Sequence, residues 1–354
     1  MDNKPIFSII MPVYNVEDYL AFAVESVWKQ SFEKFELILV NDCSTDLSGT
    51  ICDVYAEKDR RIQVVHKVKN EGLGQARNTG LKNCSGRWIM FMDSDDWLDH
   101  SALEELNNII SHDVSADIIV YGYAQEFEKK DGSGFVPANI FPDRKDISGL
   151  KSIANAVVEL DYQRCFSYAW NKIYKSELIL DNHFWFSSTP LIEDFLFNIE
   201  VFKKCSRLVV LDKIYYHYRK PHHETLVSRY VSNFYELCKL KYNKEKEMLF
   251  HYGNSDQKSE EMLTIIHMKH ILSAYMKECS GKSGKNLFGQ YRSIKKVLMD
   301  PVTVESIAHL QTSNKKMQII KGVIQTRNVF LNFSMAKAAN FIQERMPKLW
   351  QRFL

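Results

Sequence analysis

The stretch "RWIMFMDSDDWLD", residues 87–99, runs from an apolar segment straight into three aspartates, Asp93, Asp95 and Asp96. Carboxylates at that spacing repel one another, so something must offset their charge. Asp93 and Asp95 stand two apart and face the same side of an extended chain. Two carboxylates on one side of a strand end can share a hard divalent cation, magnesium or manganese, which keeps open positions for phosphate oxygens. A diphosphate is the natural anionic ligand for its other side. The plainer reading is an acidic surface turn. Asp96 is expected to cap the following turn, with Trp97 covering the site.

Three more polar clusters follow apolar runs: "PVYN" (12–15), "NDCSTD" (41–46) and "KVKNEG" (67–72). Asp42 is placed to accept the N3–H of uracil. Ser44, Thr45 and Asp46 suit capping of the helix that follows. Tyr14 either lines the same base pocket or is a core aromatic. In "NEGLGQARNTG" (70–80) the glycines permit close backbone approach, and Arg77 supplies a charge suited to a phosphate or base edge. The turn "PVYNVEDY" has no glycine, so the dinucleotide fingerprint is absent and a nicotinamide-dependent reductase is disfavoured.

The elements that must position these residues alternate. Strands are predicted at 6–13, 35–40, 62–66, 88–92 and 117–124, and helices at 16–30, 47–59, 72–84 and 101–111. Asn15 is expected to cap the first helix, with Asp18 in its first turn. This alternation implies an α/β fold, a mostly parallel sheet flanked by helices, whose ligands bind beyond the carboxyl ends of the strands. Residues 125–147, with glycines, prolines and many charges, read as an excursion or loop. A helix follows at 149–160. From residue 226 onward the pattern is almost entirely helical, with "GKSGK" (281–285) as a joint.

The 354 residues are 45% apolar and 25% charged, as in an ordinary globular protein. The net charge of +2 points to no nucleic-acid partner. Seven cysteines, odd in number and without a CxxC pair, fit a reduced compartment rather than a disulfide framework or zinc site. Neither a secretion signal nor a spanning helix is expected. The reading is cytoplasmic.

The segments "SIIMPVYN", "LILVNDCSTD", "NEGLGQARNTG" and "WIMFMDSDDWL" occur in an order and spacing that resemble family 2 glycosyltransferases of the GT-A fold. "AWNKIYKSEL" (169–178), "LIEDFLFN" (191–198) and "YYHYRKPHHETLVSR" (215–229) look like the second half of that catalytic domain. The resemblance covers about residues 5–230. It implies a GT-A catalytic domain over 1–225, with a nucleotide half to about 125 and an acceptor half beyond it, followed by a helical region over 226–354. It implies transfer from a UDP-sugar to a glycan, lipid-linked or glycoprotein acceptor, assisted by manganese or magnesium. Pro12, Tyr14, Asn15, Asp42, Arg77 and Asp93 would form the nucleotide pocket. Asp95, with Asp93 and His223, would hold the metal. Asp194 would be the catalytic base. Asn171, Lys172, Glu193 and Trp97 would shape the donor–acceptor pocket, and Arg219 and His222 would lie on a loop closing over the diphosphate. Cys43 stands where the family has glycine, so the turn there either avoids positive φ or bears strain.

An acceptor hydroxyl needs a base on the face opposite the leaving UDP, and a single displacement inverts the sugar carbon. The alternatives are a sugar nucleotidyltransferase, whose glycine- and lysine-rich loop is missing, and a scaffold that binds nucleotide-sugars without chemistry. The tail "AKAANFIQERMPKLWQRFL" places Ala338, Ile342, Met346, Leu349, Trp350 and Phe353 near one face. It is expected either to dock on the chain or on a second copy in a homo-oligomer, or to lie on the inner face of an anionic membrane. Pro347 would break that helix.

Overall fold

The computed structural model describes residues 4–112, 115–129, 133–220, 230–252 and 256–346. The chain divides into two compact units, Met1–His223 and Glu224–Leu354.

The first unit opens with β1 (Phe7–Val13), α1 (Glu17–Trp28), β2 (Phe35–Asn41), α2 (Ser48–Lys58), β3 (Ile62–His66), α3 (Leu73–Asn83) and β4 (Trp88–Phe91). The four strands pair in parallel in the order β3-β2-β1-β4. Every residue of β1, β2 and β4 is buried, the condition that makes parallel strands read as unbroken apolar runs. Ser8 is the polar exception in β1, and its hydroxyl donates to the buried Glu36 of β2. Pro12 lies past the pairing with β4, which ends at Ile10 opposite Phe91, so its missing N–H breaks no bond to that strand. Gly80 lets α3 lie flush on the sheet: a Cβ there would stand 2.2 Å from Ile10 Cγ2.

The chain continues through the two-residue β5 (Trp97–Leu98), α4 (Ala102–His112), β6 (Ile118–Glu128), β7 (Phe135–Ile140) and β8 (Lys145–Ser148). It then runs through α5 (Leu150–Tyr162), β9 (Lys172–Lys175), α6 (Ser176–Leu180), α7 (Glu193–Phe202) and β10 (Arg207–Lys220). The sheet extends from β4 as β9-β6-β10-β5, with β7 on β6 and β8 on β10. In this half β6 and β10 are parallel, while β9, β7, β8 and β5 pair antiparallel. The parallel pattern therefore belongs to the first half, and the second is mixed. The stretch 125–147, expected to be an excursion or loop, carries strand: β6 runs on to Glu128, β7 (Phe135–Ile140) pairs back on it, and β8 begins at Lys145. Its charges and Pro137 sit on partly exposed strand, where they cost little.

The second unit contains α8 (Phe234–His251), α9 (Gln257–Glu278), α10 (Leu287–Leu298), α11 (Pro301–His309), α12 (Lys315–Gln325) and α13 (Val329–Arg345). A 3₁₀ turn at Gly281–Ser283 falls in the expected joint. From α9 onward each helix begins with its own Asp or Asn cap: Asp256, Asn286, Asp300, Asn314 and Asn328. Met268, Ile271 and Tyr275 of α9 form one core with Ile294 of α10 and with Ala336 and Ala339 of α13. The face of α13 that is buried is thus the one carrying Ala336 and Ala339, whereas Ala338 is exposed and Ile342 half-buried. The tail helix docks within its own unit up to Arg345. Pro347, Leu349, Trp350 and Phe353 lie outside the described residues. Among the described residues no helix is long and apolar enough to cross a membrane.

Candidate active site

The site forms where the strands end. The turns after β1 and β2 lock together by exchanging helix caps. Asn15, with φ of 51°, does not cap α1; its Oδ1 accepts the backbone N–H of Thr45 at 2.8 Å. The first turn of α1 is satisfied from the other loop, with Val16 N–H donating to Ser48 Oγ and Glu17 N–H to Asp46 Oδ2. In return the Leu47 N–H donates to Glu17 Oε2, and Ser44 Oγ accepts the Asn15 N–H. Of the three residues expected to cap the helix that follows, Asp46 does so, its Oδ1 accepting the Ser48 N–H at 3.0 Å, whereas Ser44 Oγ and the Thr45 N–H bond to Asn15 of the neighbouring loop. Cys43 takes φ of 64°, so the turn carries the strain that glycine would avoid.

Asp42 is 2% exposed at the end of β2. Its carboxylate accepts Lys67 Nζ at 2.6 Å and the backbone N–H groups of Glu71 and Gly72. Gly72 reaches it at φ of 87°, a conformation that only glycine adopts cheaply. At Gly74 the close approach comes from the protein itself, since a Cβ would lie 2.7 Å from the Ser187 carbonyl. Tyr14 is 46% exposed, which rules out the core-aromatic alternative.

Arg77 is the hub. It projects from α3, is 1% exposed, and donates through Nη2 to Asp93 Oδ1 at 2.8 Å and through Nη1 to Asp194 Oδ1. Burial by itself pulls its pKa down, but Asp194 and Asp93 more than reverse this and hold it above its ordinary value. The other oxygen of Asp194 accepts the Ala169 N–H at 3.0 Å. One guanidinium thus ties the first turn of α7 to the end of β4, reaching Asp194 across 117 residues of chain and Asp93 across 16. Asp93 is pushed up to about 6 by burial and by Asp95 and Asp194, against the pull of Arg77. Glu193, beside Asp194, is pushed up to about 7 by burial first and Asp194 second, and its Oε2 has no hydrogen-bond partner among the described residues.

Asp96 is fully buried, with its carboxylate bound by Tyr216 Oη–H at 2.6 Å and the Arg219 N–H at 2.8 Å. Burial and the neighbouring Asp95 and Asp93 raise its pKa well above the usual range. Asp96 therefore clamps the aspartate turn to β10 rather than capping the turn that follows. Tyr216 Oη also accepts the Asp93 N–H at 3.1 Å. Asp93 and Asp95 are left partly exposed. Among the described residues no set of three or more His, Cys, Asp or Glu side chains is arranged to hold a metal. Two carboxylates that need further oxygen ligands from a phosphate match the way magnesium is held in many phosphate-handling sites.

Several expected site residues sit elsewhere. Arg219 lies at the end of β10, not on a separate closing loop, and its guanidinium carbon is 5.0–5.7 Å from the rings of Tyr19, Phe22, Trp97 and Phe135. Its Nε donates to the Asp95 carbonyl, so it supports the aspartate turn. Trp97 stacks on His217 at 5.1 Å and meets Phe22 edge-on; its ring is taken up in packing. Asn171 and Lys172 are fully buried. Lys172 Nζ donates to the carbonyls of Cys165 and Tyr168 and to Asn171 Oδ1, and burial brings its pKa down to about 7. Both residues brace the 165–172 segment rather than line the pocket. His222 and His223 lie outside the described residues.

Sequence reasoning missed Lys67, Tyr216 and an aromatic group made of Tyr168, Trp170 and Tyr218. The alternation in "YYHYRK" was the available signal: on β10, Tyr216 and Tyr218 turn to one face, and His217 and Arg219 to the other.

Comparison with known proteins agrees with this architecture. Residues 8–162 match the family model described as Glycosyl transferase family 2. The chain is 35% identical to the glycosyltransferase GlyA of Streptococcus pneumoniae over 223 residues, which are 62% of this chain and 31% of GlyA. It is 32% identical over 240 residues to the poly(ribitol-phosphate) beta-N-acetylglucosaminyltransferase TarS of Staphylococcus aureus, covering 66% of this chain and 39% of TarS. The structure of S. aureus TarS 1-349 in complex with UDP-GlcNAc superimposes with a TM-score of 0.67 at 24% identity, over 94% of this chain and 90% of that one. The chain is a glycosyltransferase carrying a family 2 domain of the GT-A fold.

Proposed function

We propose that the chain is an inverting glycosyltransferase that moves a sugar from a UDP-sugar to a hydroxyl of a glycan acceptor. The observation that carries this reading is the Asp93–Arg77–Asp194 bridge, which sets a carboxylate for proton abstraction beside the aspartates of the diphosphate end. The similarity to TarS, crystallised with UDP-GlcNAc, supports a UDP-sugar as donor. Asp42 and Tyr14 mark the base end, where Asp42 has acceptor capacity beyond its three protein donors.

Asp194 is the general base. Arg77 and the Ala169 N–H orient its carboxylate, which takes the proton of the acceptor hydroxyl as that oxygen attacks C1 from the face opposite UDP. The C1–O bond to the phosphate breaks as the new one forms, and the configuration inverts. Asp95 and Asp93 would hold manganese or magnesium, which when bound supplies Lewis-acid stabilisation to the departing diphosphate. Tyr216, Asp96 and Arg219 hold the aspartate turn in register for that task.

A second reading gives the proton to Glu193, because its raised pKa and unpartnered Oε2 suit a base near neutral pH. UDP release from a panel of UDP-sugars, with manganese, magnesium or EDTA, tests the donor and cation together. Slow release from one donor, abolished by EDTA, is expected. No release from any donor, with no UDP binding by calorimetry, would refute the donor reading. Asp194→Asn is expected to bind UDP and lose transfer. If Glu193→Gln loses transfer and Asp194→Asn does not, the base is Glu193.

A further inference from the structure

We propose that Tyr168 and Tyr218 form an aromatic shelf that receives the apolar face of a pyranose ring of the acceptor. The proposal rests on the transfer reading above and adds a binding subsite to it.

Tyr168, Trp170 and Tyr216 stack in that order, with centroids 4.5 and 4.4 Å apart and planes within 18° and 12°. Trp170 and Tyr216 are 2% and 0% exposed, so two of the three rings are sealed in the core. Tyr168 ends the stack and is partly exposed. Tyr218, also partly exposed, stands 6.2 Å from Tyr168 and tilted to it by 52°, with Lys220 Nζ 3.9 Å from its ring centroid. Together they make a floor and a leaning wall built on a rigid aromatic base.

Two hydrogen bonds fix where the shelf lies. Ala169, the residue after Tyr168, donates its N–H to Asp194. Tyr216, two residues before Tyr218 on the same strand face, donates to Asp96. The shelf therefore joins the proposed base to the aspartate turn, on the half of the sheet built from β6, β9 and β10. The base-binding residues Asp42 and Tyr14 belong to the other half, at the ends of β1 and β2. A ring placed on the shelf lies beside Asp194 and away from the nucleotide.

The chemistry suits a sugar. One face of many pyranoses carries axial C–H groups, weakly positive and apolar, which meet the negative face of an aromatic ring. Stacking orients the ring without consuming its hydroxyls, and orientation is what a displacement at C1 requires of its nucleophile. Two rings at an angle contact a ring face and an edge, which gives a preference among epimers that a single flat ring would not.

Saturation-transfer NMR on the full chain, loaded with UDP and magnesium, tests this with the methyl β-pyranosides of glucose, galactose and N-acetylglucosamine as probes. Transfer to the ring C–H protons of at least one probe is expected. Tyr168→Ala and Tyr218→Ala should each reduce it by about fivefold, and Tyr168→Phe should retain it. Calorimetric UDP affinity should stay within about twofold of wild type in all three. Undiminished transfer in both alanine variants overturns the proposal, as does no transfer from any probe while UDP binds. A fall in UDP affinity in the alanine variants also overturns it, because the shelf would then serve the nucleotide. Failure of the wild type to bind UDP refutes the donor reading itself.

Discussion

Replacing Arg77 by methionine keeps the length and apolar stem of the side chain and removes its charge. Asp194 and Asp93, 16% and 26% exposed, would then face each other without the cation that joins them, with Glu193 alongside. Removing one partner of a buried ion pair costs about 3–5 kcal/mol. Asp93 is exposed enough for water to recover part of that, so the expected loss is about 3 kcal/mol at pH 7.5 without metal. Urea unfolding with linear extrapolation measures it. A cycle with Asp194→Asn separates the pair from general damage: once Asp194 is neutral, Arg77→Met should cost at least about 1 kcal/mol less. A loss below about 1 kcal/mol, or strict additivity in the cycle, would refute the view that Arg77 holds the two carboxylates together. Transfer should fall steeply as well, since Asp194 loses its orienting donor.

Gly80→Ala puts a Cβ 2.2 Å from Ile10 and should cost about 1–3 kcal/mol, read as a lower Tm; an unchanged Tm would mean that α3 does not pack flush on β1. Cys43→Gly relieves a positive φ and should stabilise by about 1 kcal/mol, and a lower urea midpoint would contradict the strain. Glu193, pushed up to about 7 from an ordinary value of 4.5, holds its proton more tightly folded than unfolded, so its contribution to stability falls as pH rises through that window. Glu193→Gln should therefore gain on wild type between about pH 5 and pH 7.5 in metal-free urea titrations, and a gap that does not change with pH would sink the assignment.

Strands β1, β2 and β4 were legible because both of their faces are buried, which makes each an apolar run ended by polar residues. The hairpin of β6 and β7 was not, because its partly exposed face tolerates the charges and proline that usually mark a loop. Spacing at a strand end placed Asp93 and Asp95 in a candidate site, and the family resemblance placed Asp194 there, but neither could show that Arg77 joins Asp93 to Asp194, since its bond to Asp194 spans 117 residues. Asn15 and Ser44 were read as caps for their own helices because capping is usually local; here two loops satisfy each other. The aromatic stack was hidden for a similar reason. Tyr168 and Trp170 meet Tyr216 and Tyr218 only after β10 has paired beside β6.

The place of β9 has a consequence for synthesis. Four parallel strands are complete once residue 91 has been made, yet β4 pairs with β9, residues 172–175, and β9 in turn with β6. A chain emerging from the ribosome therefore carries an open sheet edge at β4 while about eighty more residues are added. During that interval Arg77 has no Asp194 to bind, and the aspartate turn lacks the hydroxyl of Tyr216. The second unit differs, because from α9 onward its helices carry caps a few residues from their own first turns and can begin to form as they appear. Assembly of the candidate site is a late, long-range event in the first unit, and the interval before it is when a nascent chain most needs shielding from its neighbours.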